Sequence, residues 1–598
     1  LLLFIFFILS AFAQDAGNDK DTFFLSRKKG LIGQIAKSIS ISPIQQVPVN
    51  MANPYLIHTG KKIRNIEVLA FGFERNIYDT NLIKNSAGVR FANALHKNTT
   101  IKIIRNNLFF READLIQPYL LADNERHLRE QVFIQDARII ILTIPNNDFL
   151  VDVLVITKDV FSLGFNVNMS SLKKMQFEFR EDNVAGSGSK IGWSTFYQSG
   201  RHPSFGHGAQ LVKRNIKGSF IDWNIGFQTF KRSFTSGKNE EVYFFNRFEK
   251  PLVSAYIKWI GAADLGYFRT NDAYRMDSIY LKDFRYSYQN ADVWFGYNFG
   301  SNLLRYKNIQ SRVRKLIAVR GFYQHFDRVP ISFQRNYDFR FANIKGFLTS
   351  FNVFKQNFYR TNFIYGFGRN EDVPEGFSAA IIAGWTNKQQ RERTYYGIES
   401  QFSNFSKKGF YSAYTFRLGS YFSDRHAEDI DLLFNVDHFT RLKRMNTKWY
   451  NRNFFSFGFT RQFNSVLNPP LVLQSIFGLP YFNNGNIAAD LRTTVKAETV
   501  FYHLRKFLGF RMAPFLFGDL CVIKGTNTMW SKSEIFSALG GGIRTRNENL
   551  TFGTIEFKGF YFPRTIPGMK NFRFEITSNL RFKYSNSFIR KPDFVLPN

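Results

Sequence analysis

The sequence predicts a mainly β protein, a membrane-spanning antiparallel barrel of about 16 strands preceded by one small α/β domain. Three observations carry that expectation. Between about residues 161 and 582, aromatic or aliphatic residues alternate with Gly, Ser, Asn, Thr, Lys or Arg, in short stretches broken by polar turns. The 71 Phe, 27 Tyr and 7 Trp make the chain 18 % aromatic, yet its mean hydropathy is only −0.25. After the N-terminal segment, no run approaches the roughly 18 apolar residues of a spanning helix.

The alternation is specific. Ile221, Trp223, Ile225 and Phe227 share one face against Asp222, Asn224, Gly226 and Gln228. Val293, Phe295, Tyr297 and Phe299 face away from Asp292, Trp294, Gly296 and Asn298. The cleanest stretch sets Phe572, Phe574, Ile576, Leu580 and Phe582 against Arg573, Glu575, Thr577, Asn579 and Arg581. Successive side chains on a strand point to opposite sides, so each stretch has one oily and one wet face. In a bilayer that pattern requires a closed barrel, because an open edge would leave backbone amides unpaired in hydrocarbon. Aromatic girdles outside and a polar lumen inside account for the high aromatic content and the low hydropathy together.

Along the chain, residues 1–13 are an apolar run ending in Ala11-Phe12-Ala13, the small-x-small form of a signal-peptidase site, and read as a truncated signal peptide that implies export. Residues 14–60, with Pro43, Pro48 and Pro54, read as a linker. Residues 61–160 change to an α/β texture: a strand over 63–71, helices over 113–121 and 123–130, and strands over 133–144 and 149–157. The second helix is opened by an Asp123-Asn124 cap, and the last two strands are joined by an Asn146-Asn147-Asp148 turn. The barrel fills 161–598 with a short final tail. At about 26 residues per strand and connection, its length allows about 16 strands.

The formal charge of +33 invites a nucleic-acid reading. The basic residues are scattered over alternating positions and turns, so lumen lining and contact with anionic lipid phosphates use them more economically, and no nucleic-acid partner is expected. The single Cys521 has no CxxC or Cys/His spacing around it. There is no HExxH, no nucleophile elbow and no Walker lysine in a strand-to-helix setting, and His202 and His207 beside Pro203 read as solvated. No enzyme activity, cofactor or metal is expected.

The element order of 61–160, with Ile104-Arg105-Asn106-Asn107-Leu108, Ala113-Asp114, Asp123 to Arg129 and Phe133 to Ile139, resembles a POTRA domain of the BamA/TamA outer-membrane assembly superfamily, apart from an insertion over about 72–103. Asp182-Asn183-Val184-Ala185-Gly186-Ser187-Gly188 is similar to the turn that begins that family's barrels. Phe515 to Asp519 and Leu539 to Arg544 are similar to two of its late strands. The family's V-R-G-F/Y tetrapeptide occurs verbatim as Val319-Arg320-Gly321-Phe322, but early in the barrel and with flanks that read as strand, so it is taken as a chance match. By order, the corresponding loop is Ile476-Phe477-Gly478-Leu479-Pro480, before strands carrying Glu498 and Asp519.

The resemblance implies an outer-membrane insertion or translocation factor in a diderm bacterium, with the POTRA domain in the periplasm. Unfolded outer-membrane or exported proteins are its implied partners, alongside outer-membrane lipid, lipopolysaccharide and accessory lipoproteins. Clients would add to a POTRA edge strand at Ile134, Ala137, Ile139 and Ile141. The lumen latch candidates are Gly478, Glu498, Asp519 and Arg492, with Arg492 or Lys496 supplying the cation. A weak seam is expected between first and last strands, near 177–180 and at Phe572, Phe574 and Phe582. The alternatives are a pore dedicated to one exported partner, as in two-partner secretion, and a passive porin.

Overall fold

The computed structural model describes residues 53–72, 97–300, 312–335, 338–364, 366–367, 371–482, 487–506, 510–526, 528–546, 554–578 and 588–598. The expected signal peptide, most of the linker, most of the 72–103 insertion and Phe582 lie outside the described residues.

The N-terminal domain runs β1 (Lys62–Phe71), α1 (Ile101–Asn106), α2 (Pro118–Glu130), β2 (Ile134–Ile144) and β3 (Asn147–Asp159). Its sheet has the order β1-β3-β2, with β1 parallel and β2 antiparallel to the central β3. Ile63, Ile66, Leu121, Leu128, Phe133, Val151, Val153 and Val155 form the core between helices and sheet.

The helices differ from expectation. Residues 113–116 are not helical: Ala113 takes a φ of 71°, and the segment bonds to the chain at β1 through Ala113 N–H to Ile63 O (2.9 Å) and Ile63 N–H to Asp114 O (2.9 Å). A single helix starts instead at Pro118, whose fixed φ suits a first turn and whose missing N–H is no loss there. Asp123 and Asn124 are therefore mid-helix rather than a cap. Asn124 accepts from the Phe109 N–H and donates to Asn107 O, both at 2.8 Å.

The barrel strands follow directly. They are β4 (Leu163–Ser171), β5 (Lys174–Glu181), β6 (Lys190–Gln198), β7 (Phe205–Lys213), β8 (Asp222–Arg232), β9 (Asn239–Lys250) and β10 (Trp259–Thr270). Then come β11 (Ser287–Phe299), β12 (Arg314–Arg328), β13 (Ile344–Thr361), β14 (Glu371–Lys388), β15 (Arg391–Phe405), β16 (Tyr411–Ser423) and β17 (His426–Phe439). A two-residue β18 (Lys443–Arg444) precedes β19 (Trp449–Phe463), β20 (Ala489–His503), β21 (Arg511–Gly525), β22 (Glu534–Arg546), β23 (Ile555–Tyr561) and β24 (Phe572–Ser578). Apart from β18, a side pairing on β19, the described residues form a closed antiparallel barrel of 20 strands rather than about 16.

The shortfall came from the connections. On the rim away from the N-terminal domain, Gln389-Gln390 and Asp424-Arg425 make two-residue hairpins with φ of 52°, 68°, 50° and 67°, the tight turn that matches strand twist. Such turns consume far less chain than the expectation allowed.

Alternation sorts the faces. Val293, Phe295 and Phe299 project outward and are exposed, while Asp292 and Asn298 on the same strand are buried in the lumen. Phe347, Ile381, Ile398 and Leu516 continue the apolar exterior, and Arg393, Asp429, Arg492 and Glu556 lie inside. An exterior of that kind is solvated by hydrocarbon. The wall is uneven: β13 and β14 have 18 residues each, whereas β4, β6 and β7 have 9 and β5 has 8.

Candidate functional site in the mouth, seam and lumen of the barrel

Helix α2 lies across the rim beside the N-terminal domain, and its polar residues are buried there against the barrel. Asp123 accepts from Arg312 at 2.8 and 2.9 Å and from Ser254 Oγ at 2.9 Å. Glu125 accepts from Arg360 of β13 (2.8 Å), from Arg129 (2.6 Å) and from the Tyr55 hydroxyl (2.6 Å). Arg129 reaches on to Asp372 of β14 at 3.1 Å. Arg126 donates to Val253 O (2.7 Å) and stacks its guanidinium over Phe358 at 3.7 Å. One helix thus ties the β9–β10 connection to the β13–β14 side of the mouth.

Burial pushes the Glu125 carboxyl up, but Arg129 and Arg360 outweigh it and hold the group at about 2. His127, beside Asn107 Oδ1 at 3.1 Å, is pulled down to about 3 by burial and by Arg126.

The Asp182 to Gly188 turn docks on the same domain. Asn183 donates to Thr99 Oγ1 (3.0 Å) and accepts the Gly188 N–H (2.7 Å). Both glycines have left-handed φ, 71° and 70°. A Cβ at Gly186 would stand 2.3 Å from Asn98 O, and one at Gly188 2.9 Å from the Phe133 ring. The turn needs glycine for its backbone and for close approach alike.

β2 is an edge strand of its sheet. Ile134, Ala137 and Ile139 turn their side chains into the domain core, with Ile141 packed partly against it. The edge is already engaged at two of these positions. The Ile139 N–H donates to Glu125 Oε2 (3.1 Å), the Ile139 carbonyl accepts from the Tyr55 hydroxyl (3.2 Å), and the Ala137 N–H donates to Asp136 Oδ1 (2.9 Å). A client strand added at Ile139 has to displace Tyr55 and Glu125.

At the seam, β24 closes on β4 with Ile576 opposite Met169 and Thr577 opposite Asn168 among the described residues. Phe572 and Phe574 point outward and are exposed. Residues 177–180 belong to the second strand, β5, not to the closing one, because a complete hairpin strand, β4, precedes them.

Inside, the β19–β20 connection folds into the lumen, burying Leu471, Leu473, Leu479 and Phe482 against Phe515, Phe517 and Phe536. Two of the four latch candidates meet. Gly478 packs against the stem of Arg492. Glu498 is bound bidentately by Arg544 at 2.8 Å, a cation the sequence reading did not name, and Arg544 also donates to Glu556 at 2.7 Å. Lys496 donates to Ile476 O (3.2 Å), and Asp519 lies opposite Lys496 in the β20–β21 register.

The feature that sequence reasoning missed is the final segment. Phe588–Asn598 crosses the lumen from the domain-side rim to the far one. The Phe588 N–H donates to Gln356 Oε1 at 3.4 Å, and Ile589 packs with Ile260, Leu316, Ala318 and Phe354. Lys591 pairs with Asp292. Arg320 holds Asp292 through two bonds of 2.8 and 2.9 Å and also donates to Pro592 O (3.0 Å) and Asp593. Phe594 stands edge-on to Tyr395 (4.9 Å) and Phe322 (5.4 Å). The Val595 N–H donates to the Tyr395 hydroxyl at 3.0 Å. Arg492 donates to Pro597 O and to Asn598 Oδ1, and Asn598 donates to Pro470 O at 2.9 Å. Asp292 was legible as a wet-face residue and the flanks of Arg320 as strand, and that was the available signal.

No protein family and no curated protein matches the sequence. Among solved structures, the chain is similar to BamA from Haemophilus ducreyi lacking POTRA domains 1-3, at 12 % identity and TM-score 0.38, covering 87 % of this chain and 85 % of that one. It is also similar to CdiB from Acinetobacter baumannii, at 8 % identity and TM-score 0.36 over 96 % of both chains, and to CdiB from Escherichia coli, at 8 % and 0.41 over 87 % of this chain and 76 % of that one.

Proposed function

We propose that this protein sits in the outer membrane of a diderm bacterium and inserts other proteins there, with residues 61–160 serving as a POTRA-like domain on the periplasmic side. The observation that carries the reading is the uneven wall beside the seam. A membrane-spanning strand needs about 9–11 residues, and β4 to β7 fall at or below that length, about half that of β13 and β14. A short wall thins the adjoining bilayer and lowers the cost of bringing a client strand into it. β4 is also a closing strand, so parting it from β24 exposes an edge on which a client strand can form main-chain hydrogen bonds. Unfolded outer-membrane proteins are the proposed clients. The mechanism needs no catalytic chemistry or cofactor.

The test is a cross-link of the seam. Asn168→Cys with Thr577→Cys, in a Cys521→Ala background, joins β4 to β24 on oxidation. Reconstituted in liposomes with an unfolded barrel client, the oxidised protein is expected to stop insertion and the reduced protein to restore it. Equal insertion rates in both states would remove the reading.

A second reading, a pore dedicated to one exported partner, is favoured by one observation: the lumen accommodates an extended polypeptide from rim to rim.

A further inference from the structure

We propose that the lumen wall at Asp292, Arg320, Phe322, Tyr395, Tyr421 and Arg492 is a binding track for an extended polypeptide carrying an acidic residue followed by an aromatic one, and that Phe588–Asn598 is its resident, displaceable occupant. The inference goes beyond client insertion at the seam and is independent of it.

The occupant is held as a ligand is held rather than as a strand. It carries no regular secondary structure. Pro592 and Pro597 supply no N–H, which disfavours joining the sheet there. What the wall recognises is largely main chain: Arg320 takes the Pro592 carbonyl, Arg492 the Pro597 carbonyl, and the Tyr395 hydroxyl the Val595 N–H. Recognition through the main chain tolerates many sequences. Two side chains add selectivity. Asp593 pairs with Arg320, and Phe594 enters an aromatic box of Phe322, Tyr395 and Tyr421 with ring centroids 5.4, 4.9 and 5.5 Å away.

The wall is also prepared for vacancy. A buried cation that loses its sole partner is strongly destabilising. Arg320 keeps its bidentate bond to Asp292 when the segment leaves, and Arg492 keeps Val472 O at 2.6 Å. Asp292 in turn keeps Arg320 when Lys591 departs. Arg320 and Asp292 keep each other as an ion pair and Arg492 keeps a carbonyl acceptor, so release leaves each with a hydrogen-bond partner in the barrel, and another extended chain meets a preformed site. Gly419 completes the fit: a Cβ there would lie 2.2 Å from Tyr395 Oη and 3.0 Å from a Val595 methyl, so glycine keeps the room in which hydroxyl and occupant meet.

The experiment uses a fluorescent synthetic peptide of residues 588–598 and protein lacking that segment, in detergent micelles, with anisotropy as the readout. The expected result is saturable binding to the deleted protein and weak binding to the full chain, whose own segment competes. A peptide with Asp593→Ala and Phe594→Ala is expected to bind roughly tenfold or more weakly, as loss of a charge-assisted bond implies. Absence of saturable binding, or equal binding of the two peptides, would overturn the proposal.

Because the deleted protein could misfold, a second variant keeps the full chain: Phe322→Cys with Phe594→Cys in a Cys521→Ala background, bridged by a short reducible thiol cross-linker. The peptide is expected to bind more tightly after the bridge is cleaved than before. Equal binding in both states counts against displacement. Seam-dependent client insertion, measured separately, stays intact if only the track is wrong, so the two readings fail distinguishably.

Discussion

The Arg360 guanidinium of β13 donates to Glu125 of α2 at 2.8 Å, an ion pair that joins the barrel wall to the helix lying across its mouth. Glu125 also caps the Ile139 N–H of the β2 edge, so one carboxylate serves both the interface and the edge strand.

Glu125→Gln removes the charge that Arg129 and Arg360 share. Arg129 keeps Asp372 and Arg360 can reach water, so the expected loss of domain stability is about 2–3 kcal/mol, below that of a fully stranded pair. Protease digestion of the folded protein should cut the N-terminal domain earlier in the variant. An unchanged digestion profile would mean that the ion pairs contribute little to docking.

Acid should loosen the same interface in two stages. His127 is held at about 3 against an ordinary 6.5, so its neutral form stabilises the fold fully above 6.5, and that contribution drains away as pH falls from 6.5 toward 3. Glu125, at about 2 against 4.5, adds a second loss between 4.5 and 2. The slope from one such group is at most about 1.4 kcal/mol per pH unit. Hydrogen exchange along α2, followed as pH is lowered and corrected for intrinsic rates, should show protection falling from near pH 6.5, and His127→Asn should flatten the first stage.

In the lumen, Arg544→Met removes the guanidinium that Glu498 and Glu556 share. The expected cost is about 3–5 kcal/mol. The temperature at which the barrel loses its folded mobility on a denaturing gel should fall, and adding Glu498→Gln with Glu556→Gln should recover most of it. A melting temperature identical to wild type would place the three charges in contact with water rather than with one another.

Gly419→Val should expel the Val595 region from its place, since the new side chain meets Tyr395 Oη and Val595 together. Tyr395→Phe is the milder comparison, deleting one hydrogen bond worth about 1 kcal/mol. Exchange of the Val595 amide should quicken modestly in the second variant and fully in the first. Slow exchange in both would indicate that Tyr395 does not hold the segment.

What could be read in advance followed from local rules. The face of Val293, Phe295 and Phe299 was set by alternation alone, and it is the exterior face. The strand character of residues around Val319-Arg320-Gly321-Phe322 was legible from their flanks, and they lie within β12. The strand number was not, because hairpin length depends on whether pairs such as Asp424-Arg425 accept left-handed φ, which composition does not announce. Nor was the helix start: the helix expected over 113–121 begins only at Pro118, because a proline fits a first turn and not the middle of a helix. The path of Phe588–Asn598 had no local signal, since its partners Arg320, Tyr395 and Arg492 come from strands far away in sequence and its two prolines read simply as tail.

The contrast between the 18-residue strands β13 and β14 and the 9-residue β4 bears on how the molecule stands in a bilayer. A cylinder tall on one flank and low on the other meets an oily slab of uniform depth only by leaning, or by denting the slab along its low side. Lean and dent trade against each other as lipid chains lengthen. Acyl-chain length thereby becomes a dial on the angle at which this protein presents its shallow flank.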